Sequence, residues 1–170
     1  VGDRLYTVNV SELKIFDISN ASNPVSTTTF YVGNNVETIF PLNQYLFIGS
    51  SWGLYIYSIQ NPDYPNLLSN TTHVYSCDPV IADSNYAYVT LHSENSWCGR
   101  STNELKILDI SDLTYPTLVR TYPMISPKGL GKSGNQLFIC DAGLKVFDAS
   151  DVSNLQQTGS FAIDAVDVIP

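Results

Sequence analysis

The stretch Leu13–Ser19, LKIFDIS, returns almost unchanged as LKILDIS at Leu105–Ser111. Looser copies begin at Leu54 (LYIYSIQ) and Leu144 (LKVFDAS). A second motif precedes each copy: RLYTVN from Arg4, YLFIGS from Tyr45, YAYVTL from Tyr86 and QLFICD from Gln136. The period is about 40 residues. The longer third unit carries HSENSWCGRSTN (92–103) between its two motifs. Self-similarity at this period restricts the chain to a solenoid, a propeller or another array, because a single unit cannot bury its apolar faces alone.

The units read as β. In LKIFDIS, Leu13, Ile15 and Asp17 fall on one face of a strand and Lys14, Phe16 and Ile18 on the other. YLFIGS is apolar on both faces at its centre, as in strands covered on both sides. Turn signals separate the two motifs, SSWG (50–53) and DAG (141–143), with glycine expected to supply positive φ. Loops rich in Asn, Asp and Pro follow the second motif: NASNP, NPDYP, DLTYP and DVSN. A third strand comes next (25–32, 117–123), and a fourth leads into the following unit (36–41, 78–83). Four strands per unit, sheets covered on both faces and this period predict an all-β fold, a β-propeller of about four four-stranded blades. The units are 1–35, 36–76, 77–126 and 127–161. Residues 162–170 read as the first strand of a further or closing blade. Two forms remain open: a small closed ring, or part of a larger propeller, for which the start at Val1 rather than Met also speaks. Asp17, Asp109 and Asp148 end equivalent strands and are expected to accept turn N–H groups. A ring of metal ligands is the alternative, and Ser58 in the second unit breaks it.

The chain lacks the boxes of sialidase, tryptophan–aspartate and kelch propellers. Its own pattern is Leu-x-Ile-x-Asp-x-Ser, then Asn or Asp and Pro, after a Tyr-x-Tyr-Val strand. LKIFDISNASNPV and YAYVTLHS…LKILDISDLTYPTLV carry it best. This pattern resembles the LVIVD repeat of bacterial and archaeal propellers, many of them exported. The resemblance covers nearly the whole chain, departing at YIYSIQ in the second unit and at the missing Pro of the fourth. It implies a fold and an address. The family has no agreed catalytic residues, so none transfers.

The chain is acidic, net −8 with only 8 Lys and Arg, which excludes a nucleic-acid partner that needs clustered cations. No apolar run is long enough to insert in a membrane. Abundant Asn, Ser and Thr, few Lys and Glu, and Asn-x-Ser/Thr sequons at Asn9, Asn20 and Asn70 point to an extracellular or cell-surface location.

In a propeller the loop from strand two to strand three opens on the same rim as the loop entering strand one. That rim gathers the insertion 92–103, Cys98 within it, and Cys77. A Cys77–Cys98 disulfide would pin the insertion, and two unrelated thiols are the alternative. Cys140 ends a core strand and reads as a small apolar residue. Trp52 and Trp97 sit in adjacent loops of this rim, suited to sugars, peptides or proteins; packing on their own hairpins is the plainer reading. Glu37, Asp78 and Lys128 occupy equivalent positions at the channel mouth, and their mixed signs favour a salt-linked mouth over a metal ring. His73 and His92 lie beside Asp78 and Glu94, donor types that could hold a metal, although solvent-facing loop histidines explain them equally. No catalytic residue, metal or cofactor is assigned. The expected function is a non-enzymatic binding module taking a protein or glycan partner on the loop-decorated face, through Trp52, Trp97, His92, Glu94, Asp78, Glu37 and Lys128. Self-association is expected if the ring is open. The rival readings are part of a larger propeller hydrolase or lyase, with acids at the channel mouth, and a purely structural domain.

Overall fold

The computed structural model describes residues 1–73, 79–93 and 102–170. Strands β1 (Arg4–Asp17), β2 (Val25–Leu42), β3 (Tyr45–Ser50), β4 (Gly53–Ser58) and β5 (Asn66–Thr72) make one antiparallel sheet in sequential order. A second contains β6 (Val80–Ala82), β7 (Tyr86–Leu91), β8 (Glu104–Asp109) and β9 (Thr117–Pro123). The third contains β10 (Pro127–Ser133), β11 (Gln136–Asp141), β12 (Leu144–Asp148) and β13 (Gln156–Phe161).

The first sheet is two blades in one. A 14-residue strand such as β1 would reach about 45 Å if straight. Its ends instead meet: Arg4 Nη1 lies 3.2 Å from Asp17 Oδ2, and Ile18 N–H donates to Asp3 O at 2.9 Å. The run therefore folds back on itself, near Val10 with its φ of 42°. β2 bends likewise at Gly33 (φ 153°) and Asn35 (φ 50°). Its first half pairs with β1, from Val25 opposite Asp17 to Tyr31 opposite Glu12. Its second half pairs with β3, from Val36 opposite Ser50 to Leu42 opposite Tyr45. Blade one thus has three strands, and blade two has four. The Ile18-to-Asp3 bond recurs as Ile59 to Gln44, Ile110 to Asn85 and Ala149 to Asn135, so the repeated motif closes the same hairpin four times.

The core lies between blades rather than inside one sandwich. Leu13, Ile15, Leu46, Ile48 and Tyr57 fill the junction of blades one and two. Phe47, Leu54, Ile56, Val89 and Leu108 fill that of two and three. Tyr88, Leu105, Ile107, Leu137 and Ile139 fill that of three and four. The leading leucine and isoleucine of the motif are fully or almost fully buried in the first three copies, which explains why those letters recur. Among the described residues no buried cluster joins blade four to blade one, and the blades form an open arc. Residues 162–170 form no strand but lie against β10, with Gly129 N–H donating to Val166 O at 2.9 Å. Among the described residues no helix is long and apolar enough to cross a membrane.

Candidate functional site

One rim of the arc is structural. Asp17, Asp109 and Asp148 accept the N–H of Ser19, Ser111 and Ser150 at 2.8, 2.8 and 2.9 Å. In blade two Ser58 Oγ takes the same part toward Gln60 at 3.4 Å. The serine hydroxyl and N–H hold Asp17 and Asp109 below the ordinary carboxylate value, and the Ser150 N–H and hydroxyl do so for Asp148. Each Asp serves its own turn, and Asp17 also pairs with Arg4. Among the described residues no three His, Cys, Asp or Glu side chains gather as a metal site requires. The loops that follow dock blade on blade. Arg4 grips Asp63 of the next blade at 2.7 and 3.0 Å, Ser69 Oγ donates to Leu113 O at 2.7 Å, and Tyr122 OH donates to Val152 O at 2.9 Å.

The opposite rim carries those residues singled out from sequence that are described: Trp52, Glu37, His92 and Lys128. Trp52 sits in the tight turn between β3 and β4, half exposed at 50%. Its turn is fixed from three sides: Trp52 N–H donates to Ser50 Oγ at 3.2 Å, His73 N–H to Trp52 O at 3.1 Å, and Ser51 N–H to Asn35 O at 3.0 Å. Gly53 does not adopt positive φ, contrary to expectation. It is needed because a Cβ there would lie 2.6 Å from Thr71 O. In blade four the shorter turn does use positive φ, at Ala142 (50°) and Gly143 (124°). Glu37 is exposed and accepts the Ser51 hydroxyl at 3.2 Å. His92 and Lys128 meet in a central cavity of about 850 Å³, walled by Thr38, Ile81, Gly131 and Val168. Asp78, Glu94, Trp97 and the Cys77–Cys98 pair lie outside the described residues. The feet of the insertion are described: Ser93 N–H donates to Asn103 Oδ1 at 3.1 Å, and Asn103 Nδ2 to Ile125 O at 2.8 Å. Cys140 is a buried free thiol, and burial pushes its pKa up.

Two features of this rim escaped the sequence reading. Asp141 is fully buried. It accepts N–H from Ile125 (2.9 Å) and Ser126 (2.6 Å) and pairs with Lys145, tying blade three's exit loop to blade four. A groove of about 360 Å³ also opens between blades two and three, floored by Leu54, Val89 and Leu108 and edged by Thr71, Thr72, His73 and Lys106. The Asp141 contact has no sequence signal, because Ser50 and Leu91 hold the equivalent position.

The LVIVD repeat profile matches residues 2–31, 76–123 and 130–162. The chain belongs to the LVIVD repeat family. The longest stretch of this LVIVD propeller that the profile leaves unmatched, 32–75, contains the Trp52 turn and one wall of the groove. No curated protein matches the chain. Solved structures share its fold. AztD of Citrobacter koseri is 11% identical, with a TM-score of 0.64 over 95% of this chain and 47% of its own. The N-terminal domain of Nup159 is 10% identical, with a TM-score of 0.60 over 95% of this chain and 42% of its own. Sqt1 of Saccharomyces cerevisiae is 10% identical, with a TM-score of 0.54 over 97% of this chain and 61% of its own. The chain thus spans under half the length of AztD and the Nup159 domain.

Proposed function

We propose that this LVIVD propeller is a non-enzymatic binding module of the cell surface or extracellular space, taking a protein or carbohydrate partner on the rim that bears Trp52. The observation that carries this reading is a half-exposed tryptophan at a turn held by backbone bonds from two neighbouring segments. Such a side chain offers large apolar area with little order left to lose on binding. The two feet of the insertion, Ser93 and Asn103, are anchored beside the same rim, and loop insertions tend to carry binding residues. Exposed apolar side chains on blade one (Leu5), at the end of β13 (Phe161) and just past it (Ile163) add a surface for self-association.

The test is binding of the intact protein to a glycan array and to envelope proteins of its own cell. Wild type is compared with the double variant Trp52→Ala/Trp97→Ala. The expected result is a loss of at least about tenfold in affinity, about 1.4 kcal/mol. Undiminished affinity in the double variant refutes the reading. Surface labelling of intact cells tests the location.

A further inference from the structure

The groove between blades two and three exists because one residue breaks the repeat. In each blade the motif leucine faces a residue of the outermost strand: Leu13 faces Phe30, Leu105 faces Tyr122, and Leu144 faces Phe161. Phe30 and Tyr122 pack into the buried layers of their own junctions. In blade two the partner of Leu54 is Thr71. The facing wall changes too. Where Tyr55 helps fill the junction of blades one and two, Lys106 stands in blade three, 3.2 Å from Glu104. Blade four carries Lys145 at that position too, so the decisive change is Thr71, which leaves open the space that Phe30 and Tyr122 fill in the other two junctions.

We infer that this groove is a subsite for a neutral glycan. The inference rests on the binding role proposed for this rim and names the ligand class. Four properties of the groove carry it. Its floor is aliphatic, and Leu118, 56% exposed, continues the apolar wall outward. Its edge holds the hydroxyls of Thr71, Thr72 and Thr102 and the imidazole of His73. Among its described residues the one carboxylate and the one ammonium, Glu104 and Lys106, pair with each other at 3.2 Å and present acceptor and donor side by side. The Trp52 turn adjoins its upper end through the His73-to-Trp52 backbone bond. A pyranose ring matches this set, having a C–H face for the floor, a belt of hydroxyls for the edge and no charge. A phosphate or carboxylate ligand would need an uncompensated cation. An added peptide strand would need an open strand edge, whereas these walls are built from side chains of two facing sheets.

The experiment uses neutral tetra- to hexasaccharides of β-1,4-linked glucose, mannose and xylose and α-1,4-linked glucose as probes, at millimolar concentration. Calorimetry is the readout. Thr71→Phe restores the residue type of the other blades and fills the groove. The expected result is saturable binding of at least one oligosaccharide by the wild type. Thr71→Phe should weaken it by at least about tenfold, with a melting temperature equal to the wild type or higher. Leu118→Asp, on the exposed wall, should give the same loss if Thr71→Phe does not fold. No saturable binding of these probes, or equal binding by Thr71→Phe, overturns the inference. A protein ligand lost in Trp52→Ala but kept in Thr71→Phe also overturns it, while leaving the role of the rim intact.

Discussion

Asp141 is the residue whose environment demands most. A fully buried carboxylate is tolerated because two N–H donors and the Lys145 ammonium surround it. Asp141→Ala leaves those donors without their acceptor and is expected to destabilise by about 3 kcal/mol, read by urea denaturation. It should also speed amide exchange at Ile125 and Ser126. The exposed turn aspartates act differently. Asp17, Asp109 and Asp148 are more acidic in the folded chain than the ordinary 3.8, held there by Ser19, Ser111 and Ser150. Groups with depressed values stabilise the fold fully above the unfolded value, and that contribution is lost as pH falls through the folded one. Stability should therefore drop below about pH 4. The triple variant Asp17→Asn/Asp109→Asn/Asp148→Asn, which keeps an acceptor but cannot titrate, should show a flatter acid limb in denaturation at stepped pH.

The strands differ in how they are held. β3 lies between two neighbours and is buried almost throughout, whereas the first half of β1 meets only its own second half in blade one. Amides of Leu5–Val8 are expected to exchange faster than those of Leu46–Gly49, in the equivalent strand. Equal protection would show that another strand covers the inner edge of blade one. At the other end, Gly129 and Gly131 replace Thr38 and Phe40 of blade two and Pro79 and Ile81 of blade three. The missing side chains let 166–170 settle on β10: a Cβ on Gly129 would lie 2.6 Å from Asp167 Cα, and one on Gly131 2.8 Å from Val168 O. Gly131→Val should raise exchange at Val168 and Ile169 while leaving the β10–β11 ladder protected.

For the whole molecule the consequence is an arc of rigid junctions with apolar surface at both ends. Leu5 is 44% exposed and Phe161 55%. Sedimentation velocity of the 170-residue chain is expected to show concentration-dependent association, reduced by Leu5→Lys or Phe161→Lys. A concentration-independent monomer would count against the proposed self-association. The junctions themselves are unequal. Those of blades one/two and three/four carry an aromatic from the outermost strand, and that of two/three carries Thr71 and an open groove. The place where the repeat is least regular is also where the Trp52 turn stands.

The sequence by itself determined the repeat, the all-β class, the placing of the strands within each unit and the role of the turn aspartates. Each follows from local rules: side-chain alternation, turn chemistry, and identical letters recurring in identical strands. Thr71 was legible too, since it stands the same distance after its motif leucine as Phe30, Tyr122 and Phe161 do after theirs. Its meaning was not, because an absent ring becomes a groove only when two sheets face each other across it. Gly53 shows the same limit: the letter was right, but the reason, close approach to Thr71 O, belongs to the neighbouring strand. The burial of Asp141, the meeting of His92 and Lys128 in one cavity and the seating of 166–170 on β10 were decided by tertiary structure alone. Each depends on contacts between segments far apart in sequence, which no local pattern encodes.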